Sequence, residues 1–331
     1  MTISDADHRP FGKTGLNAPP IVFRGDLLDH AARVIPDQTK RVICGEWFQR
    51  VTPPIFIEVS PNDRGHAVLE LGRMLRRLDI SSNDVVINLG ITCAADLPRA
   101  KSRDAVFSSY HETCKLFGEA YMPRMVTLEA FEQHLTTAAS STDRARCLNA
   151  NLDAIHAMTE LKSAKKIAGV GIRCRDWHIA EELSDSTELD FIVLVGSITI
   201  LRHPPERVEF LTSLAERQIA AISGGVFHGG FLVGGSSFED RVVSPDDPAD
   251  QWLLAWRKAF TSFCHGHGVR PAHACIQFAL SAPGVVAVSL RTSHAERVAK
   301  NVEAVVNRVP AGLWASMKEE GLLEDDYAHL K

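Results

Sequence analysis

Two carboxylates sit close together around the end of one apolar run. Glu58 lies within the run Ile55–Val59, and Asp63 follows five residues later within SPNDRG. Two acids held near each other share a proton unevenly, because like charges resist joint ionisation, and such a pair can do acid–base work. The plainer reading is two polar residues on a wet rim. A second feature is the glycine run SGGVFHGGFLVGG, residues 223–235. Its glycines either let a backbone approach a ligand closely or only make a tight turn. His228 inside that run could pass protons near neutral pH, or be an ordinary surface histidine. Cys264, His265, His267, His273 and Cys275 are metal-ligating types, but zinc sites need tighter, convergent spacing, so no metal is expected. Ser293 with Glu296 three residues on reads as a capping box opening a helix. Trp47, in GEWF, is either a wall for a stacked substrate or the core anchor of a helix.

Something must position these groups. Eight short apolar runs alternate with helical patterns: Ile21–Phe23, Ile55–Val59, Val85–Leu89, Met125–Leu128, Ile167–Ile172, Phe191–Val195, Ile219–Ile222 and Val285–Ser289. Runs of this kind suit buried parallel strands. Eight strand–helix units predict an α/β fold, one (β/α)8 TIM barrel over residues 1–331, with active-site residues at the strand C-terminal ends. Leu71, Leu75 and Leu78 mark a helix after the second strand, Leu148, Leu152 and Ile155 another before the fifth, and Trp252–His265 a third. Val298, Val302 and Val305 form the buried stripe of the last barrel helix. Long loops are expected near 92–109 and 234–250, the second rich in Gly, Ser, Pro and Asp.

Composition narrows the function classes. The chain has 331 residues, 45% hydrophobic and 23% charged, which is globular rather than disordered. A mixed net charge of -5 gives no reason to expect nucleic acid or a membrane surface. No apolar run reaches the roughly 18–20 residues of a transmembrane helix. Met1–Pro10 lacks a signal-peptide core, and the seven cysteines contain no CxxC pair, so a cytoplasmic setting is expected. The expected partner is a small molecule, and the sequence does not fix the oligomeric state.

The motifs resemble a known family. RPFGKTGLNAPPIVFRG looks like the opening hairpin and first strand of the aldo-keto reductases, and LGRMLRRL like their first barrel helix. KKIAGVGI and LDFIVLVGSITIL resemble their fifth and sixth strands. SGGVFHGGFLVGG resembles the seventh-strand loop of the aldose dehydrogenase and pyridoxal dehydrogenase branch. QFALSAPGVVAVSLRTSHAERVAKNV resembles the last strand and the phosphate-binding helix. The likeness covers most of the chain and weakens between Gly90 and Cys147.

The resemblance implies an oxidoreductase fold that reduces carbonyls with NADP or NAD. In the family a Tyr donates the proton, a Lys and an Asp lower its pKa, and a His orients the substrate. A phenol starts near 10, so a nearby cation must pull it down. At the matching positions this chain carries Glu58 for the Asp, Asp63 for the Tyr, Asn88 for the Lys and, near the end of the fourth strand, Glu129 for the His, with His134 a competitor. The catalytic tetrad is therefore expected not to be retained. Ile198 takes the place of the aromatic that stacks on the nicotinamide, and Arg173 or Cys174 that of the Asn holding the carboxamide. The phosphate end is better kept. Gly225, Phe227 and Gly229 lie in the glycine loop, and Arg291, Thr292, Ser293, Arg297 and Asn301 surround a helix start where an adenosine phosphate would sit.

Three readings follow. The first is a divergent barrel without standard carbonyl reduction, binding a small polar or sugar-like ligand or using Glu58 and Asp63 for a non-redox reaction. The second is an NAD(P)-dependent oxidoreductase of a sugar or small aldehyde or alcohol, with an acid supplied by Asp63, His134, His228, Tyr110 or Tyr121. The third is a non-catalytic regulatory or partner subunit. The barrel alignment further predicts that Glu58, Asp63, Asn88, Arg173 and Ser197 open onto one cavity.

Overall fold

The computed structural model describes residues 1–25, 35–61, 65–92, 99–118, 120–310 and 312–330. A short antiparallel hairpin, β1 (Arg9–Pro10) and β2 (Asn17–Ala18), precedes the sheet. The strands and helices then alternate. β3 (Ile21–Arg24) is followed by α1 (Asp37–Arg50), β4 (Ile55–Val59) by α2 (His66–Arg77), and β5 (Val85–Thr92) by α3 (Arg99–Phe117). β6 (Met125–Glu129) leads to α4 (Glu132–Thr136) and α5 (Ser141–Ser163), β7 (Gly169–Cys174) to α6 (Trp177–Ser186), and β8 (Phe191–Val195) to α7 (Pro205–Glu216). After β9 (Ala220–Gly224) come a small hairpin, β10 (Ser237–Phe238) and β11 (Arg241–Val242), then α8 (Gln251–Gly266) and α9 (Pro271–Ser281). β12 (Val285–Leu290), α10 (Ala295–Val306) and α11 (Leu313–Glu319) complete the chain. The eight parallel strands close a barrel in the order β3-β4-β5-β6-β7-β8-β9-β12.

Strand alternation sorts the barrel interior into layers. At the strand N-terminal end the inward residues are apolar: Val22, Phe56, Val86, Met125, Phe191 and Ile222 among them. Phe11, from the turn of the opening hairpin, plugs that end between Phe56 and Phe191, with ring centroids 5.3 and 5.2 Å away. Two residues further along the strands the inward positions turn polar. They are Arg24, Glu58, Asn88, Thr127, Arg173 and Ser289, with Val195 and Gly224 completing the ring. On the β9–β12–β3–β4–β5 side the register sets these residues beside one another: Arg24 is opposite Glu58, Glu58 opposite Asn88, and Ser289 opposite Gly224. The outward residues, such as Val170, Ile172 and Cys174 of β7, pack under the helices.

Several expectations need correction. The segment read as a loop from 92 to 109 contains the start of α3, while residues 93–98 lie outside the described residues. Val106, Tyr110, Cys114 and Phe117 form a buried stripe at spacings of four, four and three, which suits a helix. The fifth strand runs from Gly169 to Cys174 rather than from Ile167 to Ile172, because pairing with β6 starts at Gly169, opposite Met125. The 234–250 segment is a long connection, but it carries the β10–β11 hairpin. It is anchored by buried Asp250, which accepts from Arg241 and from the Ser244 amide at 2.9 Å. No capping box opens α10: its first residue is Ala295, its N-cap is His294 and no side chain caps it.

Gly171 shows how tightly the lower layer is filled. A Cβ there would stand 2.6 Å from two carbons of the Phe191 ring. Gly171→Ala should therefore destabilise the fold by about 1–3 kcal/mol through overpacking. Gly266→Ala, where a Cβ meets nothing within 4 Å inside α8, should be neutral or mildly stabilising. Urea denaturation midpoints separate the two. Equal midpoints would contradict the packing argument.

Candidate active site

The polar layer is organised around one buried carboxylate. Glu58 is 3% exposed. Its Oε2 accepts from Arg173 Nη2 at 2.5 Å and from Ser289 Oγ at 2.5 Å, and lies 3.7 Å from Arg24 Nη1. Arg24 comes from β3 and Arg173 from β7, on opposite walls of the barrel. Oε1 of the same carboxylate is buried without a hydrogen-bond partner among the described residues. A carboxylate this deep stays charged only if a cation compensates its lost hydration, and Arg173 is the closest.

Glu129, at the end of β6, extends the network. Its Oε2 accepts from Ser60 Oγ at 2.5 Å. Its Oε1 is 3.0 Å from Arg173 Nε, but that N–H is not aimed at the oxygen, so the contact is coulombic. Gly90 of β5 makes the space: a Cβ there would stand 2.4 Å from Glu129 Oε2. Asn88 is uncharged and accepts from Thr127 Oγ1 at 2.7 Å. Arg173 thus bridges two carboxylates, and Asn88 faces a neutral neighbour.

Above this floor opens a cleft of about 1010 Å³. Arg24, Arg173 and Ser289 form its inner end. Gly225, Phe227, Gly229, Arg291, Thr292, Ser293, Arg297 and Asn301, expected as a phosphate-binding set, all line it. Across the described residues its lining carries seven Arg or Lys side chains against two carboxylates, Glu239 and Asp240. Arg175 ties to both of those, at 3.8 and 3.0 Å, and so links the β7 end to the β10–β11 hairpin.

His228 is neither a surface residue nor a free shuttle. It is buried, with Nε2 2.7 Å from Thr199 Oγ1 and Nδ1 3.3 Å from Glu239 Oε1, and it stacks on Phe238. It pins the glycine loop to the hairpin. Burial, with a smaller push from Arg202, lowers its pKa to about 4.

The other expected residues divide. Asp63 lies outside the described residues. Glu58 and Asn88 lie at the same end of the barrel but beneath the cleft rather than in its lining. Ser197 is also buried, donating to the Arg175 carbonyl at 2.7 Å. Of Arg173 and Cys174, the arginine faces the cleft and the cysteine packs under the helices. Ile198 is buried in the helix layer. His134, on α4, is not in the lining. No tyrosine reaches the mouth. Tyr110 donates to the Lys166 carbonyl at 3.2 Å and Tyr121 to the Ile80 carbonyl at 2.8 Å, both just before strands and so at the opposite end. Tyr327 pairs with Ser281. Burial raises all three phenols. Trp47 is a core anchor, stacked on Phe23 at 4.9 Å. Among the described residues no group of His, Cys, Asp and Glu could hold a metal. His273, one of the suspected ligands, contacts the Asn307 carbonyl at 2.7 Å instead. Arg24, Ser60 and Ser289 were not singled out in the sequence. Counting by twos from Val22 and Ala287 would have found the first and last.

This layout has known counterparts. Residues 63–319 match the aldo/keto reductase family. The chain belongs to that family. It is 28% identical over 167 residues to pyridoxal 4-dehydrogenase of Microbacterium luteolum, covering 50% of this chain and 48% of that protein. It is 27% identical over 171 residues to D-threo-aldose 1-dehydrogenase of a Pseudomonas species, covering 51% of each. The matched part of the chain spans about half the length of these curated relatives. Among solved structures, an aldo-keto reductase from Bacillus halodurans in its holo form superposes with a TM-score of 0.64 at 16% identity, covering 98% of this chain and 99% of that one. A thermostable aldo-keto reductase in complex with the inhibitor epalrestat gives 0.65 at 14%, covering 94% and 98%. At such identities these structures establish the fold alone. This aldo/keto reductase barrel has no helix, among the described residues, long and apolar enough to cross a membrane.

Two outcomes follow from the network. Arg173→Met should cost about 3–5 kcal/mol, because it leaves a buried carboxylate short of its cation. Adding Glu58→Met should recover much of that loss, read as urea midpoints. A single variant as stable as the wild type would show that Glu58 needs no partner. The second outcome concerns pH. The unfolded His228 imidazole takes up a proton near 6.5 and the folded one only near 4. Its contribution is complete above 6.5 and is lost as pH falls through that window, by up to about 1.4 kcal/mol per unit. His228→Gln should flatten the stability profile between pH 6.5 and 4. An unchanged slope would show that other groups set it.

Proposed function

We propose that this chain is a divergent family member whose cleft binds a small polar or sugar-like ligand, with ordinary carbonyl reduction lost. The remaining role is ligand binding or a non-redox reaction, carried out by one barrel domain in the cytoplasm. The observation that carries the reading is the Glu58–Arg173 ion pair across the cleft floor. Resemblance puts a lysine, tuning a tyrosine, at the position Asn88 holds. Here the cation beside Glu58 comes from another strand and is an arginine, which does not titrate in the useful range. The three tyrosine hydroxyls bond elsewhere.

NAD(P) is the group the family implies, and the residues fit half of it. Thr292, Ser293, Arg297 and Asn301 line the cleft beside the start of α10, where backbone amides and guanidinium groups suit a phosphate. The nicotinamide half fits poorly. Of the two candidates for the position of the carboxamide-binding Asn, Arg173 is committed to Glu58 and Cys174 packs under the helices, and Ile198 is a buried aliphatic where the family branch stacks an aromatic. No step is therefore routed through the dinucleotide.

A second reading has its own support. Both curated relatives are named dehydrogenases. On that reading the chain is an NAD(P)-dependent oxidoreductase of a sugar or small aldehyde or alcohol, with its acid supplied from the Asp63 segment.

The readings part on two measurements. Reduction of simple aldehydes with NADPH at neutral pH should be negligible, since losing a positioned acid removes about 10²–10⁴-fold in rate. Robust turnover would reverse the order of the readings. In thermal-shift titrations, NADP and adenosine 2′,5′-bisphosphate should stabilise the fold alike, by about 2.7 kcal/mol at 100 times the dissociation constant. Arg297→Ala should weaken both. Strong stabilisation by NADP with none by the bisphosphate would mean that the nicotinamide end is intact.

A further inference from the structure

The geometry points to an anion subsite at the inner end of the cleft, formed by Arg24 and Arg173, that takes the carboxylate of a small-molecule ligand. This rests on reading the cleft as a small-molecule site and names the class of ligand. It is separate from the phosphate-binding positions at α10.

Three features converge on it. First, two guanidinium groups from opposite walls meet over one oxygen. Arg173 Nη2 is 2.5 Å from Glu58 Oε2 and Arg24 Nη1 is 3.7 Å from the same atom, so one small anion can reach both. Both side chains line the cleft, 16% and 17% exposed. Second, Arg173 has donor capacity left over. Its Nε is buried against Glu129 and Nη2 is engaged by Glu58, which leaves Nη1 for a ligand. Its Nη1 faces Gly224 in the cleft wall, and even a Cβ at that position would stand 3.8 Å from it. Third, Glu58 is an internal counter-anion. It holds the two cations in place before a ligand arrives, so little reorganisation is needed on binding. Ser289 fixes the carboxylate from the other side.

Charge and shape select a carboxylate. An arginine fork matches a planar carboxylate with two parallel donors. Glu58 and Glu129 lie directly beneath. A doubly charged phosphate would meet more repulsion there than a singly charged carboxylate. The other cations around the cleft favour an anionic ligand as a whole.

Malonate is a suitable probe, because each of its carboxylates carries a single charge and the second can stay in the open cleft among the other cations, with uncharged malonamide as its shape control and inorganic phosphate as the rival anion. Calorimetric titration of the full chain at constant ionic strength should show saturable malonate binding and none of malonamide. Arg24→Gln should weaken malonate about tenfold or more, as expected for losing a charged hydrogen bond. Arg24→Lys should fall between. Arg291→Ala should leave malonate within about twofold, because it acts at the other end. A wild-type crystal soaked in malonate should show it against Arg24 and Arg173, which keeps the test decisive if a variant fails to fold. No saturable malonate binding, equal binding by Arg24→Gln, tighter binding of phosphate than of malonate at this pair, or loss only on Arg291→Ala would each overturn the subsite. Malonate binding without bisphosphate binding would count against the phosphate end of the proposed function and leave this subsite standing. The reverse result would remove the subsite alone.

Discussion

A carboxylate inside a barrel must be neutralised, and that requirement organises the cleft. Glu58 points inward from β4 at the level where the core turns from apolar to polar. It has too little water around it to remain charged unaided, and breaking its pairing would strand a charge in a dry site. Arg173 reaches it across the barrel, Ser289 donates from the neighbouring wall, and Arg24 approaches from β3. Arg173 is then also placed beside Glu129, whose carboxylate fits only because residue 90 has no side chain. One inward charge thus sets the partners on four other strands. The layer below is apolar and sealed by Phe11, so it offers that charge no alternative partner.

The fold was legible because its signal is repetitive. Eight apolar runs at regular intervals leave few arrangements other than a closed parallel barrel, and errors of one or two residues in a strand do not alter that. The fifth run was placed two residues early, at Ile167–Ile172, whereas β7 spans Gly169–Cys174 and uses Gly169 and Gly171 to admit Thr14 and Phe191 into the interior. The stripe on α3 was hidden by polar residues between its buried positions. The site was legible only in part, because its partners are remote in the chain. Arg173 and Glu58 are 115 residues apart, and Ser289 and Glu58 are 231 apart. Type and spacing cannot announce such a pair. His228 was misjudged because a histidine among glycines resembles a loop tip, whereas Thr199 and Glu239 bury it.

The two ends of the cleft are held by different physics. At the outer end, Thr292, Ser293, Arg297 and Asn301 line the cleft beside the start of α10, a setting in which backbone amides and basic side chains suit an anion. At the inner end, chemistry depends on which side chains touch and on their proton affinities, so one substitution alters what is possible. A chain can keep the family's barrel and its glycine loop while its inner layer becomes a different electrostatic object. A match to the family therefore does not by itself decide the reaction.

The identity of the inner cation sets what the floor can do. A lysine beside an acid can lower a neighbour's pKa and can itself shift when buried. An arginine keeps its proton under any condition the folded chain would survive. The Glu58–Arg173 pair therefore fixes charge without moving protons. Ser60 and Ser289 donate to the two carboxylates and are poor acids on their own. Asn88 is a neutral amide. The described floor thus offers a ligand fixed charge and hydrogen bonds. A carboxylate ligand suits that arrangement, because it arrives already ionised and asks the floor only for compensating positive charge.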